Sequence, residues 1–263
     1  MVYGALFVFG LTIGSFLNVL ALRYQENRPL FGLFSIGGRS RCPHCAAQLR
    51  WFELIPLVSF LIQRGRCLHC QKKISLQYPV VEFASGLVLP LILFALSQNQ
   101  PVVSLGDYLY LIALALASFA LILMSAIDFR LMIIPDEIII FLAGLGFFIG
   151  LLEDFWLNKL LAAGGAFLFF GGIYWLTGGR GMGFGDVKLA AALGFLAGAP
   201  RIFFLSASSF IIGAIAGVLL MIFRKRGMKD QIPFGPFLAA GFFMVILGGE
   251  WLNKTLADLL LLN

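Results

Sequence analysis

Residues 111–130 read LIALALASFALILMSAIDFR. From Leu111 to Ile127 no side chain carries a charge, and an aspartate and an arginine then follow within three residues. A helix on the surface of a soluble domain shows a polar stripe, whereas one that crosses a bilayer needs about 20 mostly apolar residues. Comparable runs lie on either side. Spans are expected at 2–22, 79–97, 107–127, 136–153, 158–177, 187–199, 201–223 and 234–249, which makes an all-α polytopic membrane protein of about eight transmembrane helices. The run 187–199 is short and Pro200 follows it, so 187–223 reads as a tight pair or one broken helix. Residues 250–263 read as a short amphipathic helix at the interface. The first span is too long, and lacks the basic start, for a cleaved signal peptide. No internal repeat or low-complexity tract stands out.

Composition agrees. The chain of 263 residues is 60% hydrophobic and 12% charged, where a soluble domain carries about 25% charged residues. A water-soluble globule and a disordered chain are excluded, and four cysteines are too few for a secreted disulfide scaffold. The net charge of +6 reports topology rather than nucleic-acid binding. Nine of the 19 Lys and Arg fall in 23–78, and Arg130, Arg180, Lys188, Arg224, Lys225, Arg226 and Lys229 lie in loops on the same face. Only Lys159, Arg201 and Lys254 fall on the other. Positive charge stays in the cytosol, so 23–78 is expected to be cytosolic with both termini on the opposite side of the membrane (the periplasmic side in a bacterial inner membrane), and no nucleic-acid partner is expected. The turn near 128–136 and the loops 178–186 and 224–233 share the cytosolic face, where a site built from several loops would be assembled.

All four cysteines lie in the cytosolic loop, as Cys42-Pro-His-Cys45 and Cys67-Leu-His-Cys70. Each CxxC turn presents two thiolates, so two such turns complete a tetrahedral zinc shell. Disulfides and free redox thiols are the rival readings, but the loop lies in a reducing compartment. His44 and His69 could replace a thiolate, yet Cys42, Cys45, Cys67 and Cys70 suffice. A closed shell leaves no position for water, which marks a structural metal. A loop of this size with few core apolar residues needs such a staple.

Carboxylates at span ends are costly and so are functional candidates. Asp128 closes the run quoted above, and Asp186 lies in Gly183-Phe-Gly185-Asp186-Val187-Lys188. Both fall on the cytosolic face. Two such groups sharing a proton form an aspartic-protease centre, one activating water and the other protonating the substrate. The plainer readings stay open. Asp186 could cap a helix, Asp128 could pair with Arg130, and Asp136 competes with Asp128, although Pro135-Asp136 also fits a helix start. Glu82 lies near the cytosolic end of the second span, to line the same cavity or to pair with Lys72 or Lys73.

Further motifs are Gly14-Ser15-Phe16-Leu17-Asn18-Val19, Trp51-Phe-Glu53-Leu-Ile-Pro56-Leu-Val-Ser59, Ile74-Ser-Leu-Gln-Tyr78-Pro79-Val-Val-Glu82 and Pro233-Phe-Gly235-Pro236. With the knuckles and the Gly-x-Gly-Asp, they make the chain resemble a type IV prepilin peptidase, a membrane aspartic protease of the GxGD type, from about Gly14 to Gly241. The resemblance implies cleavage of the basic leader of prepilins or type II secretion pseudopilins at the cytosolic face of the bacterial inner membrane, after Gly and before Phe. It also implies N-methylation of the new N-terminus with S-adenosylmethionine, although no Rossmann glycine turn is present. Carried over by motif, Asp128 and Asp186 are the catalytic pair and 23–78 is the methylation-associated zinc loop. The domains are then 1–22, the first transmembrane helix; 23–78, the zinc loop; 79–249, the peptidase core; and 250–263, the interfacial helix.

A GxGD intramembrane protease without methylation is the alternative, and a zinc-stabilised transporter a further one. The substrate's apolar helix would lie against small residues of the spans, such as Gly144, Gly146, Gly150, Gly194 and Gly198. Its basic leader would meet a basic protein surface, so anionic membrane lipids are the expected docking partner.

Overall fold

The structure is a computed structural model that describes residues 1–26, 30, 37–97, 104–153, 155–223 and 231–259. Among these residues there is no strand, only two isolated antiparallel bridges. The helices are α1 (Val2–Arg23), α2 (Val58–Ile62), α3 (Gln77–Ser97), α4 (Leu105–Leu131), α5 (Asp136–Leu152), α6 (Trp156–Leu176), α7 (Phe184–Ala197), α8 (Arg201–Ile222) and α9 (Gly235–Leu259), with a 3-10 turn at Trp51–Leu54. Of the basic residues counted above, Arg28, Arg224, Lys225, Arg226 and Lys229 lie outside the described residues, as do residues 260–263.

Five helices, α1, α3, α4, α6 and α8, are long and apolar enough to cross a membrane. The fold is therefore that of an all-α polytopic membrane protein. The other three expected spans are shorter. α5 has 17 residues and α7 has 14, while the apolar part of α9 is Gly235–Gly248. Pro200 separates α7 from α8, giving the tight pair. α4 continues one turn beyond the apolar run, so that Asp128 lies inside its last turn and Met132, at φ 57°, ends it. At its other end Ser104 Oγ accepts the Asp107 N–H and Asp107 Oδ2 accepts the Ser104 N–H, a reciprocal cap.

The chain divides into two compact units, Met1–Leu91 and Ile92–Asn263. In the first, α1 and α3 run antiparallel. A Cβ on Gly14 would stand 2.8 Å from Glu82 Cα, and further along Asn18 Nδ2 donates to the Tyr78 carbonyl at 3.1 Å. In the second, α7 is the central helix, packed by α5, α6, α8 and α9. Its buried residues, including Val187, Leu189, Ala190 and Leu193, cover most of its circumference, as expected of a helix packed by several others, and Lys188, Ala191 and Phe195 form a half-buried face.

Small residues set these crossings. A Cβ on Gly194 would stand 2.8 Å from the Ala162 carbonyl of α6, and one on Gly146 would stand 2.9 Å from the Phe195 backbone of α7. Gly146 and Gly194 therefore serve contacts within the chain and are not free to receive a substrate helix, which corrects the expectation for these two. Gly198, at φ 72°, lies in the α7–α8 turn beside Asn158. Gly144 has open space around it.

Candidate functional site

In the second unit, three segments far apart in sequence meet around Ile134. A Cβ on Gly185 would stand 3.3 Å from Ile134 Cβ, and one on Gly235 would stand 3.4 Å from Ile134 Cδ1 and 2.7 Å from Asp128 Oδ2. The last turn of α4, the start of α7 and the start of α9 thus converge, which brings Asp186 near Asp128. Both aspartates are buried. The Gly235 amide faces the Asp128 carboxylate, yet Asp128 Oδ2 is buried without a hydrogen bond of normal geometry. Leaving such an oxygen unpaired costs about 1–3 kcal/mol, a cost expected where a group is kept for chemistry.

Local sequence explains the placement. Asp186 is the third residue of α7, and its Oδ2 accepts the Gly183 N–H at 3.1 Å. Gly183 is therefore the N-cap, and Asp186 supports it from the first turn in place of capping the helix itself, while lying near Asp128 as well. Pro233-Phe234-Gly235-Pro236 is held by Phe234, whose ring lies 5.2 Å from Phe210 and 6.4 Å from the buried Phe170. Any side chain at 235 would collide with Asp128 and with Met124 Sδ. Asp136 is different. It opens α5, is exposed, and pairs with Lys188 of α7, so it ties two helices together at the surface.

In the first unit, the two knuckles have the same architecture. Cys42 N–H donates to the Ala47 carbonyl and Ala46 N–H to the Cys42 carbonyl; Cys67 N–H donates to the Lys72 carbonyl and Gln71 N–H to the Cys67 carbonyl. Ala46 and Gln71 both have positive φ, 57° and 59°. The bridges Arg41–Gln48 and Arg66–Lys73 close the two turns in the same register. Residues 41–48 and 66–73 are thus a structural repeat, which the sequence hides because only Arg, Cys, His and Cys recur at matching positions.

The four Sγ atoms lie within 4.8 Å of one another, all four cysteines are free thiols, and Cys42 Sγ is 3.9 Å from Cys70 Sγ. Tetrahedral sulfurs at a Zn–S distance near 2.3 Å would be about 3.8 Å apart, so the donor set fits zinc. Burial alone would raise the Cys42 thiol, but the His44 and Cys45 amides and the neighbouring thiols bring it down to about 7. The Ala47 amide lowers Cys45, but desolvation and the Cys42 and Cys70 sulfurs outweigh it and push it up to about 11. Thiolates this close hinder one another's ionisation until a cation joins them. His69 instead lies 4.0 Å from the buried Glu53.

Residues 8–96 match the Bacterial Peptidase A24 N-terminal domain, and residues 115–218 match the Type IV leader peptidase family. A protein of Aeromonas hydrophila is 32% identical, the alignment covering 96% of this chain and 92% of that one. One from Stutzerimonas stutzeri is 34% identical, over 94% and 91%, and one from Bacillus subtilis is 34% identical, over 93% and 94%. All three are named prepilin leader peptidase/N-methyltransferase. The chain belongs to the type IV leader peptidase family. No solved structure matches it. The leader peptidase match spans Asp128 and Asp186, and the N-terminal match spans all four cysteines.

Some polar residues of this family member hold positions that the sequence reading did not assign to them. Glu82 does not pair with Lys72 or Lys73 among the described residues. Its Oε2 accepts the Leu57 N–H at 2.8 Å, and Ser15 donates to it. Lys159, counted only as a topology marker, is buried, with Nζ 3.0 Å from the Leu196 carbonyl and 3.0 Å from Glu153. Asn158 holds the α7–α8 turn through both the N–H and the carbonyl of Ala199. An Asn-Lys pair inside an apolar helix was the available signal. Ile134 carried none, and Gly235 was readable only as part of a motif, because the importance of both lies in what they touch.

Proposed function

We propose that this chain is a bifunctional prepilin peptidase of the inner membrane. It cleaves the basic leader from prepilins or type II secretion pseudopilins, after Gly and before Phe, and methylates the new N-terminal amine with S-adenosylmethionine. The observation that carries the peptidase reading is the meeting of two buried carboxylates, Asp128 and Asp186, from helix ends far apart in sequence. One takes a proton from water as it attacks the scissile carbonyl while the other gives its proton to the carbonyl oxygen, and the proton taken from water then passes to the leaving amine as the C–N bond breaks. Asp128 Oδ2, buried and unpaired, is suited to hold that water or the shared proton. The exposed ion pair of Asp136 supports assigning the second aspartate to 128.

The methylation reading rests on the relatives' names and on the N-terminal domain match. Cys42, Cys45, Cys67 and Cys70 would hold one structural Zn2+ that stabilises the loop. By the charge distribution the site faces the cytosol and both termini the periplasm. The substrate leader docks on anionic lipid, so cleavage slows with added salt and in neutral bilayers.

The test is incubation of the purified protein with a prepilin peptide and S-adenosylmethionine, followed by mass measurement of the products. Asp128→Asn and Asp186→Asn should each abolish cleavage, while Asp136→Asn retains it. Cleavage by Asp186→Asn would end the aspartic reading, and cleavage retained only in Asp128→Asn would move its role to Asp136.

A further inference from the structure

The stretch between the knuckles is unusual for a loop bathed in water. Within residues 51–62, Trp51, Phe52, Leu54, Ile55, Val58, Leu61 and Ile62 are all exposed, Trp51 at 77%, Leu61 at 73% and Ile62 at 77%. A water-facing segment of this size rarely carries so much apolar surface, and contiguous patches of this kind mark a partner or a membrane. The 3-10 turn and α2 pack on each other, so the patch has a fixed form.

Its level along the membrane helices is fixed as well. Leu57, held at φ 59°, gives its N–H to Glu82 Oε2 at 2.8 Å. Glu82 is the sixth residue of α3, about 7.5 Å inside its start at 1.5 Å per residue. Ser15, which donates to the same carboxylate, lies eight residues before Arg23, about 12 Å inside the end of α1 by the same measure. The middle of the apolar stretch is therefore hydrogen-bonded to a point inside the ends of two helices that are long and apolar enough to cross a membrane. With both helices spanning a hydrocarbon core about 30 Å thick, that level falls in the headgroup and upper acyl zone rather than in the aqueous phase.

The charge around the patch selects the occupant. Between residues 37 and 76 the basic side chains are Arg39, Arg41, Arg50, Arg64, Arg66, Lys72 and Lys73, and the acidic one is Glu53. Arg50, Arg64, Arg66, Lys72 and Lys73 are exposed, while the Glu53 side chain is 1% exposed. An apolar face rimmed by uncompensated cations is the pattern of a segment lying in an anionic interface. Trp51, apolar with one N–H donor, suits that zone.

We propose that residues 51–62 form a monotopic anchor seated in the anionic bilayer leaflet at the C-terminal end of α1 and the N-terminal end of α3, holding both cysteine knuckles against the membrane surface. Trp51 reports on this directly. In the full-length protein, Trp156, Trp175 and Trp251 are changed to Phe, and the protein is placed in nanodiscs of anionic lipid brominated near the headgroup end or the methyl end of the acyl chains. Shallow bromine should quench about half of the Trp51 emission, deep bromine less, and aqueous acrylamide little, as for a ring buried about 5–10 Å below the surface. Leu61→Glu with Ile62→Glu should remove the shallow quenching. Should the triple variant not fold, the difference between wild type and Trp51→Phe supplies the same signal. Strong acrylamide quenching without bromine quenching would place the stretch in water. Protection from both agents would mean that another part of the chain, or a second copy, covers it. Either result overturns the proposal. The readout does not depend on proteolysis or methylation.

Discussion

At the scale of single residues, the aspartate centre is defined as much by a missing side chain as by the carboxylates. Gly235→Ala would place a methyl 2.7 Å from Asp128 Oδ2 and 2.9 Å from Met124 Sδ. The sulfur is able to shift, but the carboxylate then loses its position. A displacement of about 1 Å can cost on the order of 100-fold in rate. Gly235→Ala should therefore lower kcat about that much in a peptide-cleavage assay, with helical content by circular dichroism unchanged. The cysteine centre gives a pH prediction with a definite sign. Without metal, Cys45, pushed up to about 11, is protonated at neutral pH, and Cys42, near 7, is partly so. Metal binds the deprotonated forms, so zinc affinity should rise with pH, by about tenfold per unit for each proton displaced. The slope should steepen below neutrality as Cys42 also takes up a proton. Competition with a zinc-binding dye from about pH 6 to pH 8 measures this.

At the scale of helices, the crossings of α7 depend on close backbone approach. Gly194→Leu and Gly146→Leu each drive a side chain into a neighbouring backbone and should cost about 1–3 kcal/mol by overpacking. Gly144→Leu, in open space, should be near neutral. Unfolding in mixed detergent micelles, followed by circular dichroism, separates the three variants. The sequence made the long helices legible because a run such as Leu111–Ile127 leaves no alternative to a membrane span. It made α5 and α7 less so. Asp186 and Lys188 interrupt the apolar run where α7 begins, which drew the expected start at 187 rather than at Phe184. The Gly-x-Gly-Asp motif and the paired Cys turns were readable because their chemistry is local. What Ile134 and Gly235 touch was not, although Pro233-Phe-Gly235-Pro236 stood out as a motif, because contacts across 50 or 100 residues leave no trace in spacing. The knuckle repeat was hidden for another reason. It is encoded in left-handed backbone at Ala46 and Gln71, a conformation that neither residue type announces.

At the scale of the whole molecule, the two units carry different chemistry. The cysteine centre belongs to Met1–Leu91 and the aspartate centre to Ile92–Asn263. Stripping the metal with a chelator should therefore reduce methylation more than cleavage, and Cys42→Ser should do the same. Assaying both products from one reaction tests this. Equal loss of the two activities would mean that the loop also serves the protease.

The length of α7 has a wider consequence. At 14 residues and 1.5 Å per residue it is about 21 Å long, against a hydrocarbon core about 30 Å thick. A rod that short cannot reach both faces. If its far end lies near one surface, Asp186 at its start stands below the other, at the floor of a recess walled by longer helices. The depth of such a well is set partly by the lipid. Longer acyl chains would deepen it and lengthen the path for water, and shorter ones would bring the carboxylates toward bulk solvent. Hydrophobic mismatch then becomes a control on hydrolysis, exercised by the membrane with no ligand bound.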